Sequence, residues 1–135
     1  MSFSNTTETE ILTYIFDTTA PAWAGNANFW LALHTADPTE TGTAVTSETA
    51  YAGYARVAVS RTTAFNVSGN QALNAALVQF PQASASAPDC THVSVVTTAS
   101  GAGQIIMRGS LVTAAAINSG VTPQFAASGL VFTLD

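Results

Sequence analysis

The chain has 135 residues, 47% of them apolar, enough for one domain with one core. Its apolar residues are mostly Ala and Val, interrupted every few positions by Thr, Ser, Asn or Gly, so no run approaches the ~20 residues of a membrane-spanning helix. Only 8% of residues are charged, the net charge is −5, lysine is absent, and Arg56, Arg61 and Arg108 are the only cations; this excludes binding to nucleic acid by phosphate neutralisation and predicts a surface largely covered by other subunits.

The first residues have neither the basic nor the apolar region of a secretory leader, so synthesis in a cytoplasm is expected. Thr7 and Glu10 have the spacing of a capping box, and Ile11, Leu12, Ile15 and Phe16 fall on one helical face. Asp17, Thr18 and Thr19 fade this pattern out and Pro21 ends it, which predicts one helix over residues 7–17. So short a helix is marginal alone and must dock, either on its own sheet or on another subunit. With the Pro/Ala/Gly linker around Trp23 it forms an arm, residues 1–27, ahead of a β-sandwich over residues 28–135 in what is one domain overall.

Residues 29–35 alternate, with Phe29, Leu31 and Leu33 on one face and Trp30, Ala32 and His34 on the other. Asp37-Pro38 opens a turn into a Thr-rich loop, and a second strand carrying Arg56 is expected over residues 54–60. The rest of the chain is expected to pack around this pair. Further strands are predicted over residues 65–70 and 71–80, the second closed by Pro81, then a loop over residues 82–89. Residues 92–97 and 104–109 form the clearest hairpin, turned by Ser100-Gly-Ala-Gly, and short strands follow over residues 111–117, 124–125 and 130–134. The pattern is mainly β: an antiparallel, jelly-roll-like sandwich of about eight strands with one short N-terminal helix.

Chemistry-bearing residues are few. His34, Asp37 and His92 are the only acid–base or metal set that can be assembled on paper, and a histidine beside a turn aspartate reads as a polar cap on the turn. Ser100-Gly-Ala-Gly lacks the helix, lysine and acidic partner of a phosphate loop, and no Gly-x-Ser-x-Gly is present. Cys90, the one cysteine, has no disulfide partner, and its spacing to Asp89 and His92 is not that of a metal site. Asn5-Thr-Thr and Asn66-Val-Ser match the glycosylation pattern by chance in a Thr/Ser-rich chain. Catalytic, cofactor and metal residues are therefore expected to be absent, which makes an enzyme the least supported reading.

What remains is surface. Trp23 and Trp30, with Tyr51 and Tyr54, read as core or subunit-interface aromatics rather than a sugar platform. Each arginine is expected to find a carboxylate, at least one of them across an interface. The candidate interface set is Ile11, Leu12, Ile15, Phe16, Trp23, Trp30, Arg56, Arg61 and Arg108.

Phe29-Trp-Leu-Ala-Leu-His-Thr-Ala-Asp-Pro-Thr-Glu-Thr-Gly, Tyr51-Ala-Gly-Tyr-Ala-Arg-Val-Ala-Val, Val67-Ser-Gly-Asn, Phe80-Pro, Gly101-Ala-Gly and Gly120-Val-Thr-Pro-Gln-Phe together resemble a family of small tailed-bacteriophage virion proteins. Its members include tail fibre-like proteins and capsid cement, or decoration, proteins. The resemblance spans residues 28–134 and implies a β-sandwich structural protein without enzymatic activity. A compact chain without a repetitive shaft, hydroxyl-rich and with a helical arm, points first to a decoration protein on the capsid exterior. That reading makes the major capsid protein its partner, and self-association as a dimer or trimer is expected. The alternative is a tail fibre or tail-tip protein with tail proteins as partners, presenting loops at residues 39–50 or 82–89 to a host glycan. Neither reading involves nucleic acid or membrane.

Overall fold

The computed structural model describes residues 1–134, and the fold is a mainly β, antiparallel sandwich with one helix. Among the described residues ten strands form three sheets. The largest has the order β1-β8-β7-β2-β3, from Ser2–Phe3, Ile105–Ile117, Ala87–Val96, Asn28–His34 and Val57–Ser60. Opposite it stand β10 (Val131–Thr133), β5 (Gln71–Asn74) and β4 (Phe65–Ser68), in that order, and a two-stranded ribbon of β6 (Val78–Gln79) and β9 (Gln124–Phe125).

Strand β2 lies between β7 and β3, so the stretch expected to organise the chain does so. Its alternation holds. Leu31 and Leu33 point into the main core with Val59, Val93 and Val95, where they meet Phe80, Leu130 and Phe132 from the opposite side. Ala32 and Trp30 lie on the other face, in a second small cluster with Ala44, Val96 and Ile105. The Thr-rich loop supplies Ala44, so this face of the sheet is roofed by a segment with no apolar period of its own.

Helix α1 spans Asn5–Asp17 and begins earlier than the sequence pattern predicts. Its cap is Ser4, whose Oγ accepts the Thr7 N–H at 3.3 Å and donates to the Ile105 carbonyl at 2.5 Å. Thr7, the cap expected from the sequence, is instead buried inside the first turn and donates to the same carbonyl, so contact with β8 seats it within the helix. Glu10 does not reach back to a cap; it accepts the Trp23 indole N–H at 2.6 Å and a Gln104 amide N–H at 2.7 Å.

Four other boundaries move. The strand predicted over residues 71–80 breaks after Asn74, which is fully buried. Its amide donates to the carbonyls of Ala76 and Ala126, and its Oδ1 accepts the Leu130 N–H at 2.8 Å, pulling the chain out of one sheet and into the next. The strands predicted over residues 104–109 and 111–117 are one, β8, because Gly109 is not a turn: its missing side chain makes room for Met1. Beyond Ser110 β8 bulges, advancing to Ala115 while β7 steps only from His92 to Cys90. The strand expected from residue 54 starts at Val57, and β7 begins at Ala87, inside the predicted loop. The β7–β8 hairpin forms as expected, with Gly101 at φ 74° supplying the left-handed turn position.

Candidate interaction surface

The candidate acid–base set does not come together. His34 is fully buried; its Nδ1–H donates to the Thr46 carbonyl at 2.9 Å, and Nε2 accepts the Ser94 hydroxyl at 2.7 Å. Burial, which disfavours the imidazolium, pushes its pKa below the ordinary value. The ring is therefore structural, but it ties the Thr-rich loop to the sheet instead of capping the Asp37-Pro38 turn. His92 faces His34 in cross-strand register, and its Nδ1 lies 2.9 Å from the Thr91 hydroxyl. Asp37 turns away from both, accepting the Thr39 N–H and pairing with Arg108. Cys90 is buried and its thiol is pushed up by desolvation. Among the described residues no group of three or more His, Cys, Asp or Glu is placed to hold a metal ion.

The three arginines differ sharply. Arg56 is buried, and Nε and Nη2 hold the Glu48 carboxylate in a fork at 2.6 and 2.7 Å. Nη1 donates to the carbonyl and hydroxyl of Thr98, and Nη2 also to the Gly101 carbonyl, so all five N–H groups are used within the chain. No donor of this candidate interface residue remains for a neighbour. The Glu48 carboxylate also accepts the Tyr54 hydroxyl at 2.9 Å. Burial pushes the Tyr54 hydroxyl well above the ordinary tyrosine range.

Arg108 pairs with Asp37 at 2.7 Å and lies 3.7 Å from Glu40. Arg61 has no carboxylate partner among the described residues. Its Nη1 donates to the carbonyls of Trp23, Ala24 and Asn26, tying down the short 3-10 turn Ala22–Gly25. The guanidinium lies over Phe29, 4.8 Å from the ring centre, and 5.7 Å from that of Trp23.

The four candidate aromatics are likewise dispersed. Trp23 is half-buried between Glu10 and Phe29, Trp30 packs on the small outer cluster, and Tyr51 is in the core, with its hydroxyl donating to Pro81. Tyr51 and Tyr54 meet edge to face at 5.2 Å, with Tyr51 in the core, away from Trp23 and Trp30.

Helix α1 presents the opposite of the usual amphipathic arrangement. The residues it turns toward the sheet are polar, Thr7 and Glu10, because the groups awaiting it are the Ile105 carbonyl and the Gln104 amide. Ile11 is half-buried, whereas Leu12, Ile15 and Phe16 are 56%, 60% and 82% exposed. A ridge at i, i+3 and i+4 therefore stands in solvent. Near Arg61 the two sheets part around a cavity of about 200 Å³, lined by Phe29, Val59, Phe65, Val95, Ile106 and Phe132 with Arg61 among its walls. Sequence reasoning missed this cavity, since its walls come from strands far apart in the chain and no local pattern marks it.

Fold and surface thus define a β-sandwich with several polar side chains drawn into internal networks and an apolar helical ridge turned outward. Over residues 2–133 the chain matches the family described as podophage GP4 fiber I protein gp80, and it belongs to that family, which places it among the fibre-type structural proteins of phage virions. No curated protein matches it.

Proposed function

We propose that the chain is a non-enzymatic subunit of a podophage fibre, held in the virion by contacts with neighbouring tail subunits. The carrying observation is the family match along nearly the whole chain. The exposed ridge of Leu12, Ile15 and Phe16 agrees with it, since monomeric soluble proteins rarely leave a contiguous apolar patch uncovered. The decoration reading favoured by composition gives way here, because few charges and an exposed ridge suit a tail as well as a shell, while the family description names a fibre.

Copy number in purified virions tests the proposal. Quantitative mass spectrometry is expected to return a small multiple of the tail's rotational symmetry, and density for the intact particle to place the subunit at the tail. A copy number matching the capsomers, with density on the shell, would overturn the fibre reading in favour of capsid decoration.

A further inference from the structure

We propose that the ridge of helix α1 in one copy of this chain docks into the Arg61 cavity of a second copy, with Phe16 entering the apolar space and Asp17 meeting the guanidinium. The inference stands apart from the fibre reading, since the purified chain tests it.

Shape comes first. Phe16 is the most exposed residue of the ridge, and it sits beside Asp17, the last residue of the helix. An apolar cavity of about 150 Å³ accommodates a benzene ring, so the ~200 Å³ beside Arg61, lined mainly by aromatic and branched side chains, has room for one phenyl group. Charge then selects the occupant. The last turn of α1 carries no basic residue and presents Asp17 with the helix's orphan carbonyls, a concentration of negative charge. Two of the chain's three arginines are committed to carboxylates of their own chain; Arg61 is not, and among the described residues its Nε and Nη2 make no hydrogen bond. Two copies at a net charge of −5 repel over most approaches. The acidic helix end and the uncommitted cation are where that repulsion reverses, and both halves lie on one chain. Each copy gives a helix and receives one, either by exchange across a two-fold axis or head to tail in a ring.

Sedimentation of the full chain tests this with Phe16→Ser and Asp17→Lys, two exposed substitutions that leave the core untouched. The wild type is expected to self-associate, and each variant to weaken association by about tenfold or more, or ~1.4 kcal/mol. Position is read by mixing Ile15→Cys chains, which keep Phe16 and Asp17, with Ser60→Cys chains, since Ser60 lines the cavity and the native Cys90 is buried. The mixed disulfide is expected to exceed either homodimer. A wild type that stays monomeric, variants that assemble as tightly as wild type, or failure of the mixed disulfide to form would each overturn the proposal.

Discussion

Arg56 and Arg61 stand at the two ends of the same short strand, β3, and the chain uses them in opposite ways. At the upstream end, guanidinium and carboxylate are both withdrawn from water and every donor is matched. At the downstream end the guanidinium binds three carbonyls through one nitrogen, stacks on Phe29, and keeps its remaining edge outward. In a chain with three cations, one is structural cement for a loop and another has no carboxylate among the described residues. Low charge content therefore says how few ionic contacts exist but not which of them face inward.

The sharpest way to break the comparison is to remove the buried end. Arg56→Ala leaves Glu48, Thr98 and Gly101 with unfilled acceptors and an uncompensated carboxylate, and truncating one partner of a buried pair costs about 3–5 kcal/mol. Urea unfolding is expected to show a loss of that size. Arg56→Lys should recover only part of it, because an ammonium cannot reproduce the fork on Glu48. A loss below about 1 kcal/mol would show that the network is not what holds the loop.

Next in size is a buried polar residue without charge. Asn74→Ala orphans the carbonyls of Ala76 and Ala126 and the N–H of Leu130, and an unsatisfied buried group costs about 1–3 kcal/mol. With some of these groups able to recruit water, a total of about 3 kcal/mol is expected in the same measurement. Arg61→Ala should cost only about 1 kcal/mol, since its partners are exposed carbonyls that water can serve and its stacking on Phe29 is at the surface. Equal losses for Arg56→Ala and Arg61→Ala would erase the contrast between the two ends of β3.

The legible parts of the fold were those set by local periodicity or turn chemistry. The alternation from Phe29 to His34, the glycine-turned β7–β8 hairpin and the existence of a helix before Pro21 are all of that kind. The rest was fixed by contacts at long range. Ser4 caps the helix and Thr7 sits inside its first turn, both hydroxyls held by the Ile105 carbonyl about a hundred residues away. Asn74 ends a strand that its own sequence would continue, because its amide is claimed by Ala126. Gly109 ends a strand in the local pattern, but in the structure it lies within β8 and makes space for Met1. In the same way, Ile11, Leu12, Ile15 and Phe16 read as one apolar face, but only the polar groups awaiting α1 on β8 determine that the ridge turns outward.

The smallest expected effect is a pH dependence from His34, and its sign follows from burial. The ordinary pKa of 6.5 describes this ring in the unfolded chain; in the folded chain desolvation lowers it, outweighing the Thr46 carbonyl and Glu48, which raise it, while Arg56 and His92 add to the lowering. Below 6.5 the unfolded chain therefore binds a proton that the folded chain refuses. Stability is level above that pH with respect to this group and declines as pH falls through it, by less than about 1 kcal/mol over the first unit. A buried neutral ring that donates to Thr46 and accepts from Ser94 has a partial mimic in Gln, which does not titrate. His34→Gln should thus lower stability at neutral pH while flattening the decline between pH 6.5 and 5.5 by up to one proton's worth of slope. Urea midpoints across that range measure it, and an unchanged slope in the variant would mean that carboxylates, not His34, govern the acid limb.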